Sequence, residues 1–242
     1  SLFSSPSIFL LRENKKDISI CVAFLITTMS FYVFGSQNLE KFNNQDVKNL
    51  DYKIRILSSN ISIDRFYNNI DPIAAIEELI EISSPKKNEK IIFIWPEGII
   101  PGISREQLKE YKWLFENKFN ENHLLAIGIN SKEDENKNIK YFNSLSIFDH
   151  DLNLINSYNK IKLVPFGEFL PFEFVLNSLG LKKITTGYVS FSSGKNDSSL
   201  EFEYNKKKIN ILPLICYEII FPDLLEENNE YNFLINISED AW

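Results

Sequence analysis

Residues 90–98 read KIIFIWPEG, an almost unbroken apolar run that ends in a proline, a carboxylate and a glycine. Five residues of Ile, Phe and Trp without polar alternation describe a strand buried on both faces, and such strands occur where helices cover a sheet. The stretch therefore sets the class as α/β. It also sets a position: the strand stops at Pro96 and leaves Glu97 at a sheet edge, where loops make pockets.

The neighbouring sequence supplies the rest of the layers. Upstream, YKIRIL (52–57) alternates as a strand, and DPIAAIEELIEIS (71–83) is an amphipathic helix. In that helix Asp71 is the N-cap, Pro72 takes the first helical position, and Ile73, Ile76, Leu79 and Ile80 share one face. Downstream, Ser104 and Gln107 have capping-box spacing before the stripe Leu108, Tyr111 and Phe115. HLLAIGIN (123–130), YFNSLSIFD (141–149) and DLNLINSYN (151–159) read as strands, as do two segments of LEFEYNKKKINILPLIC (200–216) and YNFLINIS (231–238). The charge run KEDENKNIK (132–140) reads as a solvated hairpin tip.

Before this domain, residues 18–35, ISICVAFLITTMSFYVFG, carry no charge and as a helix would cross a hydrocarbon core of about 30 Å. They read as a transmembrane helix, with a buried core helix as the alternative because of the Ser and Thr residues at 19, 27, 28 and 30. Arg12, Lys15 and Lys16 precede the span, so its N-terminal side is expected in the cytoplasm and residues after Gly35 outside. The polar, Asn-rich residues 36–50 read as a linker, and residues 1–17 as the end of a preceding span with a basic loop. With an opening at Ser1 and a stop at Trp242, the chain is expected to be a fragment of a polytopic protein whose catalytic domain, 51–242, is truncated at its C-terminus.

Composition narrows the functions. Of 242 residues 33 are acidic and 26 basic, a formal charge of −7 with the basic residues scattered, which argues against nucleic-acid binding. The only soft ligands are Cys21, Cys216, His123 and His150, too dispersed for a structural zinc site. No metal and no cofactor is called for.

Three strand endings carry reactive groups: Glu97 after KIIFIW, Lys160 after DLNLINSYN, and Cys216 after INILPLI. Singly, each has an ordinary reading, as a helix-start carboxylate, a surface lysine and a packed thiol. Together they are what a cysteine nucleophile needs: a base for its proton and a cation for the charge that develops.

The wording around them, WPEG (95–98), YNKIKLVPFGEFLPFE (158–173), ICYEIIFPDL (215–224) and NISEDAW (236–242), resembles the apolipoprotein N-acyltransferases, integral membrane members of the nitrilase superfamily. The resemblance spans roughly residues 18–242. It implies an α-β-β-α sandwich on the periplasmic side of the bacterial inner membrane, with a Glu-Lys-Cys triad at Glu97, Lys160 and Cys216. It further implies two supporting carboxylates, Glu168 and Glu218, holding Lys160 and Glu97 in register, with Phe66 and Tyr217 at the lipid substrate. The implied partners are a phospholipid acyl donor, a diacylglyceryl-modified apolipoprotein acceptor and the membrane. Two departures stand out: Arg65-Phe66 where the family often has tryptophan, and Glu239 where it commonly has asparagine. Two alternatives remain open. One is a nitrilase-type amidase or carbamoylase on a small C–N substrate, for which the apolar span has no use; the other is a membrane-anchored scaffold without catalysis.

Overall fold

The computed structural model describes residues 15–44, 51–58, 71–100, 102–135, 138–171, 190–195, 199–225 and 230–238, in two compact units divided after Leu50. The first unit contributes one helix, α1 (Lys15–Asn43). At 29 residues it is about 43 Å long, and its length and composition suffice to cross a membrane. Four of its hydroxyls are compatible with lipid: Ser19, Thr27, Thr28 and Ser30 each donate to the carbonyl four residues back, which satisfies their hydrogens within the helix. The helix continues past Gly35, so the stretch expected to be a linker from residue 36 begins as helix. A lone glycine costs a helix only about 1 kcal/mol, and Gln37, Leu39, Glu40 and Lys41 favour continuation.

The second unit is layered. A five-stranded sheet has the order β1 (Lys53–Ile56), β2 (Ile91–Trp95), β3 (His123–Gly128), β6 (Ser144–Phe148), β7 (Leu154–Asn159). Its first three strands are parallel, and β6 and β7 join antiparallel. A smaller sheet has the order β10 (Phe233–Ile237), β9 (Lys207–Ile215), β8 (Leu200–Tyr204). The run at 132–140 folds into the hairpin β4 (Ser131–Glu135) and β5 (Asn138–Phe142).

Alternation along the central strands explains the layers. Phe93, Trp95, Leu125 and Ile127 point to one face, where Ile76, Leu79 and Ile80 of α2 (Pro72–Ser83), Leu108 of the 3-10 turn Arg105–Tyr111 and Phe115 of α3 (Lys112–Phe115) cover them. Ile92, Ile94, Leu124, Ala126, Leu145 and Ile147 point to the other face and meet Phe202, Ile209, Ile211, Ile235 and Ile237 of the smaller sheet. On the outer face of that sheet Leu212 and Leu214 pack with Leu224 of a short 3-10 turn. No α-helix of the described residues of this unit lies there, so of the four expected layers three are described. The caps hold as expected: the Asp71 carboxylate accepts from the Ile73 N–H at 3.0 Å, and Gln107 Oε1 accepts from the Ser104 N–H at 2.9 Å.

This arrangement brings the C-terminal ends of β2, β7 and β9 to one edge, with the break between β5 and β6 beside them. Parallel strands feed their loops to one side, which is where an α/β sheet presents side chains to a ligand.

Candidate active site

Glu97 follows β2 in a turn that Gly98 closes with φ +56°. The turn lies against the end of β3, where a Cβ on Gly128 would sit 2.3 Å from the Pro96 carbonyl oxygen, so only glycine fits there. Glu97 is 6% exposed. Lys160, at the end of β7, is 1% exposed and is held by its backbone: its N–H donates to the Asn143 carbonyl at 2.8 Å, and its own carbonyl accepts from Gly194 N–H at 2.8 Å.

The Lys160 ammonium lies 3.0 Å from Glu168 Oε1 and 3.5 Å from Glu97 Oε1. The Asn143 side-chain amide completes the group, donating to Glu97 Oε1 at 2.6 Å and to Glu168 Oε1 at 2.8 Å. Glu168 is anchored through its second oxygen by the Val164 N–H at 2.8 Å. The Tyr217 ring lies under the Lys160 ammonium, 5.5 Å from nitrogen to centroid, and its hydroxyl donates to the Leu163 carbonyl at 2.7 Å. Burial opposes the charge on Lys160, yet Glu97 and Glu168 more than offset it and raise its pKa above the ordinary lysine value. It is a fixed cation at any physiological pH.

Cys216 begins the 3-10 turn Cys216–Ile220 directly after β9 and has φ +57°, a left-handed conformation that a side chain rarely adopts. Such strain persists where its surroundings enforce it, commonly at a functional position. Burial first, and the Glu97 charge second, push the thiol above its ordinary pKa. Lys160, the Ser238 hydroxyl and the Tyr217 backbone N–H pull the other way and do not prevail. The resting sulfur is therefore a protonated thiol, and a reaction at neutral pH requires a base.

One expected role changes. Glu218 was assigned to Lys160 and Glu97, but it touches neither. It is fully buried and accepts from the Tyr158 hydroxyl at 3.0 Å and 3.1 Å, from the Ile161 and Lys162 N–H groups at 2.8 Å and 2.9 Å, and from the Ile215 N–H at 2.8 Å. It joins the end of β7 to the end of β9, and acts on Lys160 only through the adjoining backbone. Phe66 and Glu239 lie outside the described residues. Asn143, Ser238 and Tyr158 were not singled out beforehand. Ser238 and Tyr158 had a signal, as parts of NISEDAW and YNKIKLVPFGEFLPFE; Asn143 reads as one polar residue in a strand-like run.

The carbon-nitrogen hydrolase family profile matches residues 69–242. Among curated relatives, the apolipoprotein N-acyltransferase of Rhodopseudomonas palustris is 26% identical over 254 residues, an alignment covering 100% of this chain and 46% of that protein. The apolipoprotein N-acyltransferase of Caulobacter vibrioides is 34% identical over 157 residues, covering 62% of this chain and 29% of its own. The chain thus spans less than half the length of the curated relatives it matches. Among solved structures, Saccharomyces cerevisiae Nit3, a member of the nitrilase superfamily, aligns over 69% of this chain and 58% of its own, with a TM-score of 0.43 and 19% identity.

Proposed function

Because the chain belongs to the carbon-nitrogen hydrolase family and has the nitrilase-superfamily fold, we propose that it is an acyltransferase working through a cysteine thioester, with Glu97 as base, Lys160 as cation and Cys216 as nucleophile. The observation that carries this reading is the convergence on one sheet edge of a buried carboxylate, a buried ammonium and a half-buried free thiol in a left-handed turn. The proposed donor is a phospholipid, and the proposed acceptor is the α-amine of a lipid-modified N-terminal cysteine on an apolipoprotein. Support for the substrates comes from the names of the relatives and from an apolar helix suited to a bilayer.

In the first half-reaction Glu97 takes the thiol proton as sulfur attacks the ester carbonyl. Lys160 and a backbone N–H near Cys216 stabilise the tetrahedral oxyanion. Collapse breaks the ester C–O bond, and the departing alkoxide recovers the proton from Glu97, leaving a lysophospholipid and an acyl-Cys216 thioester. In the second, the acceptor amine attacks the thioester and gives its proton to Glu97. Collapse then breaks the C–S bond, forms the amide and returns the proton to sulfur. Glu168 keeps Lys160 in place throughout, Glu218 holds the turn that carries it, and Tyr217 closes the site beneath the ammonium.

The test is acyl loading without acceptor. Given phospholipid alone, the full chain in membranes should carry a fatty acyl mass on the Cys216 peptide that neutral hydroxylamine removes. A label on a serine, or one that survives Cys216→Ala, overturns the proposal. The proposed location is the bacterial inner membrane with residues from 51 onward in the periplasm. A periplasm-dependent reporter fused after Gly194 should be active, and activity of a cytoplasmic reporter there instead would refute that orientation.

A further inference from the structure

Two carboxylates and one ammonium share a largely buried space beside Cys216, and nothing in a Glu-Lys-Cys triad says which carboxylate pairs with the lysine and which serves as base. We propose that Asn143 makes that division: it is a positioning residue whose amide holds Glu97 as the base while Glu168 takes the ion pair with Lys160. The inference rests on the acyltransfer reading for Glu97's role and goes beyond it in assigning Asn143.

The geometry is an alternating diamond. Two donors, Lys160 Nζ and Asn143 Nδ2, face two acceptors, Glu97 Oε1 and Glu168 Oε1. It is not symmetric. Glu168 lies at ordinary distances from both donors, 3.0 Å and 2.8 Å, whereas Glu97 is drawn to 2.6 Å from the amide and stands 3.5 Å from the ammonium. Of these two bonds the tighter one is to a neutral amide, so Asn143 holds Glu97 without closing it into the full ion pair with Lys160. Had Glu97 closed on Lys160, the full ion pair would hold its lone pairs against proton transfer.

The orientation of the amide follows from its neighbours. Turning it over would set Asn143 Oδ1 against two carboxylate oxygens, while as placed that oxygen is buried and has no partner among the described residues. An unsatisfied buried acceptor costs about 1–3 kcal/mol, less than two acceptor clashes with carboxylates. Asn143 is well placed to act on the backbone too. It sits between β5 and β6, and its carbonyl accepts the Lys160 N–H at 2.8 Å. One residue thereby fixes the main chain of the lysine and the side chains of both carboxylates. Among the described residues, Cys216 at the end of β9 and Tyr217 beneath Lys160 are further titratable groups that face the cluster.

The experiment uses the full chain and two reactions: acyl loading from phospholipid, and the burst of p-nitrophenolate released when p-nitrophenyl acetate acylates Cys216, which needs nucleophile and base but no lipid. Asn143→Ala removes both donors, Asn143→Ser keeps one, and each is also made on a Glu97→Gln background. Removing a hydrogen bond to a carboxylate favours its protonated form. The acid limb of the burst rate should therefore move to higher pH, by about one unit for Asn143→Ala, equal to a tenfold loss on that limb, and by less for Asn143→Ser. On the Glu97→Gln background the same changes should cost less than about twofold. A packing role instead scales the whole profile down without moving the limb and gives equal losses on both backgrounds; either result overturns the proposal. If Asn143→Ala does not fold, Asn143→Ser carries the same two readouts. A burst that obeys the cycle without any acyl loading from phospholipid would leave Asn143 in place and refute the acyltransfer reading. Acyl loading with additive losses would do the reverse.

Discussion

Two groups of buried carboxylate in this domain are satisfied by different means. Glu218 is surrounded by neutral donors: one phenol and three backbone N–H groups occupy its two oxygens. A charge so completely hydrogen-bonded is fixed in place, and the phenol it binds is pushed to a very high pKa by burial and by that charge. Glu97 and Glu168 instead share one ammonium and one amide, two carboxylates to a single cation. Neutral donors make a joint between two sheets; the sharing of one cation and one amide is the arrangement on which the proposed base role of Glu97 rests. Both clusters sit at the same sheet edge, so burial alone would not have separated scaffold from chemistry.

The comparison breaks most sharply if the reactive cluster can be emptied without disturbing the joint. Cys216→Ala should abolish hydroxylamine-sensitive acyl loading entirely while thermal unfolding stays within about 1 kcal/mol, because alanine keeps the β-carbon in its left-handed position and only a half-buried sulfur is lost. Loading that persists would remove the nucleophile from the scheme.

Next in size is the contrast between Lys160→Met and Glu218→Gln. Removing the ammonium leaves two buried carboxylates facing each other, which should cost about 3–5 kcal/mol of stability and about a hundredfold or more in loading rate under conditions where the protein is folded. Glu218→Gln points an amide N–H at donors it used to accept from, and should cost about 3 kcal/mol, measured by urea unfolding. Its loading rate per folded molecule should fall only a few-fold. Equal rate losses in the two variants would erase the distinction between joint and chemistry.

A smaller effect has opposite signs in two assays. The Cys216 thiol is raised chiefly by burial and then by the Glu97 charge, and Lys160 lowers it. Since only thiolate reacts with iodoacetamide, alkylation should rise at higher pH than for an ordinary cysteine. Glu97→Gln removes a charge that favours the protonated thiol, so the alkylation profile should move down in pH and the rate below it should rise a few-fold. The same variant should slow acyl loading about a hundredfold, for want of a base. If alkylation and loading fall together, Glu97 acts on the fold and not on the proton.

What could be read in the sequence follows from how local its causes are. KIIFIW could be read as a doubly buried strand because alternation is missing within six residues, and Asp71 as a cap because its acceptor bonds two positions on. Glu97, Lys160 and Cys216 stood out because each ends an apolar run. Two partners of Glu218 did not, since they are main-chain groups of residues 161 and 162, more than fifty positions away, and a backbone N–H has no spelling. Asn143 was hidden for a related reason: it interrupts a segment that reads as one strand from 141 to 149, and only folding shows that the strand breaks there to let an amide turn inward. The helix α1 runs beyond the apolar span at 18–35 because composition changes at Gly35 while helix propensity does not.

The smallest expected effect concerns Tyr217, which belongs to both regions at once. Its ring lies under the Lys160 ammonium, and its hydroxyl donates to the Leu163 carbonyl in the loop between Lys160 and Glu168. Tyr217→Phe keeps the ring and loses one hydrogen bond to a half-buried carbonyl, so it should cost about 1 kcal/mol of stability and less than about threefold in loading. Tyr217→Leu also removes the aromatic face, and a partly desolvated cation over a ring contributes about 1–2 kcal/mol. It should therefore slow loading further without shifting the pH at which the rate turns on, because no proton moves through the ring. Measuring both variants for loading rate across pH separates the parts. If Tyr217→Phe instead slows loading as much as Lys160→Met while stability holds, the hydroxyl leaves Leu163 to meet the reacting atoms, and Tyr217 moves from the joint to the chemistry.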